Sequence, residues 1–460
     1  MLQACEYKPL PYLAWVWRTR DYSKVQHRQK LDRTSYAKAL LTIIYVGITV
    51  EILVGILMIV FGLADHIAGL WPFGAALIVI YPIIWPHLIL IPLLLGDTYI
   101  VKPRQDKQIL TSAKIFAKHP GVKIAVAGSY GKTSMKEVLK IVLEADKKVV
   151  ATLANHNVPI EHAKLARNLD GQEDVLIIEY GEGEPGDVVK FCQVTHPNYG
   201  IITGLAPAHL DKYKILKAAG DDIFSLATYL KNQHVYVNSE SVAVKEYIKP
   251  QFIQYDEHGA GKLKVENLKI SITSTKFKLV TDKQTINVNS GLIGRHQVGV
   301  LSVAVLIALE LGLSVKQIEN AIAKTKPFEH RMQPYELSGA WIIDDTYNGN
   351  IDGIKVGCQL LAELKAKRKI YVTPGLVDQG SENAAIHNQL GRYIASSNPD
   401  LVVLMNNSVT LFIKEGLIGA GYKGELRIET NPLNFYLNLE HFVASGDLVL
   451  MQNDWPDHYH

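Results

Sequence analysis

Apolar residues are distributed unevenly and divide the chain into an almost wholly apolar N-terminal part and a longer part in which apolar and polar stretches alternate. Residues 39–64 contain one ionisable residue, Glu51, and exceed the roughly 20 residues with which a helix spans a bilayer. A second apolar run follows at 70–96 and contains four prolines, which kink rather than end a helix that packs against neighbours. We therefore predict a transmembrane helical hairpin over residues 39–96; a buried helical hairpin of a soluble protein is the alternative.

The charges that flank this hairpin predict its orientation. Lys and Arg are frequent before residue 39 and after residue 100, and the connecting loop has none. By the positive-inside rule, both termini and the domains that follow face the cytoplasm. Residues 1–38 are predicted to be a basic cytoplasmic segment, which either lies along the anionic leaflet or serves only as a topogenic charge cluster. Within the hairpin, the antiparallel arrangement predicts a contact between Glu51 and His87, with a protonated, lipid-facing Glu51 as the alternative.

From residue 104 onwards, short apolar runs alternate with amphipathic helical runs, a pattern typical of parallel sheets covered by helices. The runs that we predict to be strands are 122–127, 175–179, 200–203, 235–238, 341–344, 370–373, 401–405 and 448–451. The clearest helical runs are 136–145, 300–311 and 354–364. Polar-alternating stretches between 238 and 289 predict antiparallel strands, and residues 291–294 mark a boundary. The prediction is an α/β chain with a central domain at 104–292 and a Rossmann-like C-terminal domain at 293–460.

Composition excludes several classes of protein. The chain is 48% hydrophobic and 20% charged, so it is not disordered, and its net charge of +3 is too mild to indicate a nucleic-acid partner. Cys5, Cys192 and Cys358 lie far apart without a CxxC pair, which argues against a disulfide scaffold or a structural zinc site.

A glycine-containing turn follows the first predicted strand and precedes a helix that starts near Thr133. It reads G-x-x-G-K-T, and Val126 stands where the longer phosphate-loop pattern has its first glycine. Such a turn directs backbone N–H groups and a helix N-terminus at a phosphate, with Lys132 on the terminal phosphates and the Thr133 hydroxyl on Mg²⁺. We therefore predict a central ATPase domain of the P-loop type. The predicted phosphate-loop residues are Gly128, Ser129, Tyr130, Gly131, Lys132, Thr133 and Ser134.

Two further polar residues follow neighbouring strands. Glu179 ends the strand at 175–179, and His209 follows the strand at 200–203. Because the carboxyl ends of parallel strands share one edge of a sheet, both are predicted to lie at the ligand edge, where Glu179 could hold a metal.

These motifs together resemble the Mur ligase family, the ATP-dependent amide-forming enzymes of cell-wall precursor synthesis. The resemblance covers roughly residues 104–460. The segments that carry it are Gly128–Ser134, Thr152–Pro159, Glu179, His209, Gly294–Val298, Glu329–Gln333 and Asp344–Asn350. The last of these is similar to the Asp-Asp-Ser-Tyr-Asn-Ala-Asn motif of the branch that adds D-alanyl-D-alanine.

The resemblance implies a role for each matched residue. It implies that Thr133, Glu179 and His209 contact Mg²⁺. The catalytic residues that it implies are Lys132, Glu179, His209 and Arg331, and the further ATP-binding residues are His296, Gln297, Arg331, Asp345, Tyr347 and Asn348. It also implies that the last domain closes about residues 294–296, and that a substrate carboxylate is activated as an acyl phosphate before the amine displaces phosphate.

The chain departs from the family pattern at several positions. Gly220 stands where many members have a carbamylated lysine that contacts a second magnesium, and Asp221 or Asp222 could substitute for it. Ala154 and Gln297 replace a family Gly and Asn. The largest departure is at the front, where the membrane hairpin replaces the small UDP-binding domain.

The resemblance therefore implies an ATP-dependent, ADP-forming ligase that joins an amino acid or dipeptide to the carboxylate of a cell-wall precursor. D-Ala-D-Ala is the first amine to consider, and the hairpin suggests a lipid-linked acceptor held at the membrane. Two alternatives are a folylpolyglutamate-type ligase and a nucleotide-binding membrane scaffold without ligase activity.

Overall fold

A computed structural model gives the architecture of the chain. It describes residues 2–3, 5, 7–19, 33–64, 69–153, 157–206, 213, 215–347, 349–376, 379 and 382–453. Two compact units are present, Met1–Gln108 and Ile109–His460. The division of the second unit into domains at residue 292 stays a prediction.

The first unit is helical in its described residues. Its helices are α1 (Pro9–Arg18), α2 (Ser35–Ala64), α3 (Leu70–Leu88) and α4 (Leu90–Gly96), followed by a π-helical turn (Asp97–Val101) and by α5 (Lys102–Lys118), which continues into the second unit. Two continuous helical stretches, Ser35–Ala64 and Leu70–Lys118, have the length and the apolar composition that a membrane crossing requires. Those two properties alone are weak support for a membrane location, which stays a prediction.

Helices α2 and α3 pack closely because glycines line their contact. A Cβ atom on Gly55 would lie 2.9 Å from the backbone oxygen of Gly74, and one on Gly74 would lie 2.5 Å from the oxygen of Gly55. Further along, Gly47 faces the ring of Trp85. Small residues at such positions let two backbones approach, which is how apolar helices associate without a polar interface.

The predicted contact between Glu51 and His87 is wrong. Glu51 Oε2 accepts a hydrogen bond of 2.5 Å from Trp85 Nε1, because the large indole crosses over Gly47 and reaches α2 first. His87 instead accepts a hydrogen bond of 3.0 Å from Trp17 Nε1, and its Nδ1 lies 2.9 Å from the carbonyl oxygen of Ile83.

The second unit contains a ten-stranded sheet. Its strands are β1 (Val122–Ala127), β2 (Val149–Ala151), β3 (Val175–Glu179), β4 (Tyr199–Ile202), β5 (Val235–Asn238), β6 (Ile253–Asp256), β7 (Gly259–Ala260), β8 (Leu263–Ser271), β9 (Ser274–Val280) and β10 (Thr285–Ser290). The order is β10-β9-β8-β7-β6-β5-β4-β1-β3-β2. Strands β1 to β6 pair in parallel, whereas β6 to β10 pair antiparallel, as the change from continuous apolar runs to alternating ones predicted.

A six-stranded sheet follows. It is built from β11 (Gln333–Leu337), β12 (Ala340–Asp345), β13 (Arg368–Thr373), β14 (Leu401–Met405), β15 (Glu425–Glu429) and β16 (Asp447–Gln452), in the order β11-β12-β16-β13-β14-β15. All its pairs are parallel except the edge pair of β11 and β12. The predicted α/β class is thus confirmed, and the Rossmann-like assignment of this part stays a prediction.

Helices flank both sheets. They are α6 (Lys132–Leu143), α7 (Pro159–Arg167), α8 (Asp187–Thr195), α9 (Leu216–Ile223), α10 (Ser225–Tyr229), α11 (His296–Glu310), α12 (Val315–Ile322), α13 (Ile351–Glu363), α14 (Asn383–Ser396), α15 (Thr410–Gly419), α16 (Pro432–Leu437) and α17 (Leu439–Phe442), with a 3₁₀ helix at Val242–Tyr247. Helices α6 and α11 bury their apolar residues in one core with strands β1 and β3. The carboxyl ends of the central strands and the N-terminus of α6 are fixed by this packing.

Candidate functional site

The predicted phosphate loop connects β1 to α6, as the sequence indicated. Gly128 has a φ of +137°, and a Cβ atom there would meet the Thr203 side chain and the backbone of Gly204. The N–H of Ser129 donates to the Gly204 oxygen at 2.9 Å, and the Thr203 hydroxyl donates to the oxygens of Ala127 and Tyr130. The end of β4 therefore fixes the loop, and only glycine fits at Gly128 without moving it.

Glu179 lies beside the first turn of α6. Both of its carboxylate oxygens lie 3.1–3.2 Å from the Thr133 hydroxyl, and Oε2 lies 3.1 Å from Lys136 Nζ. The side chain of Glu179 is 2% exposed and that of Lys136 is fully buried. A hydroxyl and a carboxylate are hard oxygen donors of the kind that Mg²⁺ selects, so the two residues that the sequence nominated fit that ion.

The backbone of Glu179 is also held in place. Its N–H donates to the Thr152 hydroxyl at 3.1 Å, and its carbonyl oxygen lies 2.9 Å from Nε2 of His162. Burial lowers the pKa of His162 to about 4, so the ring is neutral and donates this hydrogen bond. His162 was not predicted from the sequence, where a single histidine on an amphipathic helix gives no signal.

Lys132 does not stand free at the mouth of the loop. Its Nζ donates to the Gly128 carbonyl oxygen at 2.5 Å and to Glu182 Oε2 at 2.7 Å. The Lys132 side chain is 12% exposed and that of Glu182 is 4% exposed. Sequence reasoning missed Glu182, although it lies three residues after Glu179 in an acidic run.

A cavity of about 1010 Å³ separates the phosphate loop from the six-stranded sheet. The nominated residues on its wall are Tyr130, Gly131, Ser134, His296, Gln297, Arg331, Asp345 and Tyr347. Residues from both sheets therefore meet at one cavity, and Lys132, Thr133 and Glu179 are not among the residues that line it.

His296 and Gln297 start helix α11 at this cavity. The Gln297 side-chain nitrogen lies 2.8 Å from His296 Nε2, so Nε2 accepts and Nδ1 carries the ring proton. Burial lowers the pKa of His296 to about 4, which keeps the ring neutral. His296 Nδ1 and Gln297 Oε1 are buried without a hydrogen-bond partner among the described residues. A buried donor and acceptor left open on a cavity wall fit a polar heterocycle such as a nucleotide base.

The opposite wall comes from β12 and the turn before β11. The Arg331 guanidinium lies 4.1 Å from the centre of the Tyr347 ring. Asp345 accepts from the Met332 N–H at 3.2 Å and from Gln452 Nε2 at 2.8 Å. Burial raises the pKa of Asp345 to about 7, although the nearby Arg331 opposes the shift. Arg331, Tyr347 and Asp345 thus place a cation, an aromatic ring and a buried acid on this wall.

Two nominated residues, His209 and Asn348, lie outside the described residues, as does Ala154. Among the described residues, no group of three His, Cys, Asp or Glu side chains is arranged to hold a metal ion. The prediction that His209 completes such a site is therefore untested.

The residues around Gly220 show whether this chain has room for the lysine that many family members have at that position. A Cβ atom on Gly220 would collide with the hydroxyl of Tyr247. A side chain fits at position 220 only if the Tyr247 ring moves. Asp222 is engaged by the Tyr213 hydroxyl at 2.8 Å and by the Gly186 N–H at 3.0 Å, and Asp221 lies 3.2 Å from the Tyr247 hydroxyl. Both acids thus have structural partners of their own.

Known proteins resemble this chain in sequence and in fold. Residues 126–308 match the Mur ligase middle domain. The UDP-N-acetylmuramoyl-tripeptide--D-alanyl-D-alanine ligase of Escherichia coli is 26% identical over 62% of this chain and 64% of its own length, and that of Mycobacterium leprae is 26% identical over 72% and 70%. This chain thus spans about two thirds of the length of these relatives.

Solved structures show the same fold. The MurF ligase of Thermotoga maritima, solved in complex with ADP, superposes with a TM-score of 0.66 at 19% identity, over 76% of this chain and 80% of its own. This superposition shows that the two chains share a fold. The resemblance drawn from the sequence motifs is confirmed over residues 126–308, which match the Mur ligase middle domain.

Proposed function

We propose that the chain is an ATP-dependent, ADP-forming ligase that joins an amine to the carboxylate of a cell-wall precursor. The observation that carries the proposal is the cavity that lies between the phosphate loop and the wall formed by Arg331, Asp345 and Tyr347. The relatives that this chain resembles in sequence are named UDP-N-acetylmuramoyl-tripeptide--D-alanyl-D-alanine ligases.

The proposed roles follow from position and charge. The N–H groups that open α6 and the Lys132 ammonium bind the phosphates of ATP, and His296 and Gln297 bind its base. Thr133 and Glu179 would hold Mg²⁺, with His209 as a further proposed ligand, and the ion would supply positive charge where the phosphoryl group is transferred. Arg331 neutralises charge from the opposite wall. A substrate carboxylate oxygen attacks the γ-phosphorus of ATP and ADP leaves, which gives an acyl phosphate. The amine then attacks the acyl carbon, and phosphate and a proton are released as the amide forms.

We propose D-Ala-D-Ala as the amine, because the relatives are named for it and because the Asp344–Asn350 segment resembles their motif. The acceptor is proposed to be a muramoyl peptide. A folate substrate would make the chain a polyglutamate-adding ligase instead, and the same assay separates the two.

We further propose that α2 and α3 cross a membrane, with both termini in the cytoplasm. Their apolar lengths and the basic residues on both flanks support this location. A ligase held at a membrane meets a lipid-linked precursor at a higher effective concentration than a soluble one. The acceptor is therefore proposed to be polyprenyl-linked.

The test is phosphate release from ATP by the full chain in detergent. We expect release only when an amine and a carboxylate acceptor are both present, with D-Ala-D-Ala preferred over glutamate. A polyprenyl-linked muramoyl peptide should be used better than its UDP-linked form. Release that needs neither substrate, or no release with any pair, would refute the ligase; equal use of the UDP form would refute only the lipid-linked acceptor.

A further inference from the structure

Glu182 occupies the ammonium group that the proposed function assigns to phosphate. Lys132 Nζ and Glu182 Oε2 are 2.7 Å apart, and the Gly128 oxygen is the other partner of this nitrogen. Both side chains are nearly buried. These two contacts use two of the three N–H donors of the ammonium, so a phosphate that draws Lys132 away from this position competes with Glu182 for it.

Two ion pairs lie together at this place, and Glu137, a partly exposed acid, lies 3.5 Å from Lys136. Helix α6 contributes Lys132 and Lys136, which are one turn apart. Glu179 ends β3, and Glu182 lies in the loop that follows it. Lys132 pairs with Glu182 and Lys136 pairs with Glu179. Since all four side chains are at most 12% exposed, water compensates none of these charges well.

Nucleotide binding upsets this balance. When phosphate oxygens take Lys132, Glu182 is left as a buried carboxylate without its cation and close to further negative charge. Breaking a buried ion pair by removing one partner is strongly unfavourable. The lost ion pair is compensated when a divalent cation binds together with the phosphates and takes the place of the Lys132 ammonium beside Glu182.

We propose that Glu182 couples nucleotide binding to divalent-cation binding: it holds Lys132 until a cation takes the lysine's place, and it then serves as a second carboxylate beside Glu179. The proposal rests on the nucleotide site of the proposed function. Glu182 is here a positioning residue, because it acts on phosphate through Lys132 and through the cation.

The test compares ADP affinity with excess Mg²⁺ and with EDTA, measured by calorimetry on the full chain in detergent. The ratio of the two dissociation constants is the coupling factor. In E182Q, Lys132 is free to bind phosphate without a cation, so we expect tighter binding in EDTA and a coupling factor lowered about tenfold, within the usual range of such couplings. E184Q is the matched control: Glu184 is an exposed acid two residues along the same loop, and its coupling factor should equal that of the wild type.

A coupling factor that E182Q leaves unchanged, or an equal loss of affinity in both conditions, would overturn the proposal. If E182Q does not fold, E182D replaces it: the shorter side chain keeps the charge but loosens the contact with Lys132, and the factor should fall by a smaller amount. A wild-type chain that binds no ADP even with Mg²⁺ would refute the proposed function and the coupling with it. ADP binding with an unchanged factor would refute the coupling alone.

Discussion

Replacing Lys136 with methionine removes the buried partner of Glu179 while it keeps much of the side-chain volume. The two side chains are 0% and 2% exposed, and Nζ lies 3.1 Å from Oε2. Removing one partner from such a buried pair costs about 3–5 kcal/mol, because the remaining charge is uncompensated. We therefore expect K136M to lower the free energy of unfolding of the second unit by about 3 kcal/mol or more.

The assay is urea unfolding of K136M, E179M and the double variant in detergent. The double variant should cost much less than the sum of the single ones, with a coupling energy of about 2–3 kcal/mol, the upper part of the range for residues in contact. The end of α6 offers a matched control in Lys140 and Glu144, the residue that follows the helix; they form an exposed pair 3.9 Å apart. K140M should cost less than about 0.5 kcal/mol. A cost of K136M no greater than that of K140M, or additive single effects, would refute the reasoning.

Three further predictions concern other parts of the chain. Burial raises the pKa of Asp345 from 3.8 to about 7, so the folded state holds a proton that the unfolded state has lost, and the free energy of unfolding should fall as the pH rises from about 4 to 7. In urea unfolding, D345N should lack this part of the pH dependence. A pH profile identical to that of the wild type would contradict the assignment. G220K should lower the free energy of unfolding by about 1–3 kcal/mol because the new side chain meets the Tyr247 hydroxyl, and adding Y247A should restore part of that stability. A stable G220K variant whose activity depends on CO₂ would show that the lysine fits. G55L should lower the melting temperature of the hairpin in detergent, since its Cβ would crowd the oxygen of Gly74, and an unchanged melting curve would argue against the close helix contact.

The sequence predicts the buried strands well because each is a continuous apolar run closed by polar residues. Strands β1, β3, β5 and β14 have the predicted ends, and α6 begins one residue before the predicted start. Strand β2 has only three residues, and β15, at the sheet edge, is mostly polar. Such short or exposed strands lack the apolar run on which the prediction depends.

The part of the candidate site that depends on the order of the strands in the sheet was predictable from the sequence. Thr133 and Glu179 meet because β1 and β3 are neighbours and their carboxyl ends share one edge. The partners Lys136 and Glu182 were not predictable, since an ion pair depends on side-chain reach across two elements. Glu51 shows the same limit: helix geometry placed it near the level of His87, but a bulky indole determined which residue it contacts.

The central claim is that the loop before α6 binds the phosphates of a nucleotide through Lys132. The most direct measurement is the affinity of the full chain for ADP with Mg²⁺, compared between K132A and the exposed-lysine control K140A. Losing hydrogen bonds to a charged group should weaken K132A by about 10- to 100-fold, while K140A should bind like the wild type. Equal affinity of K132A and the wild type would contradict the claim.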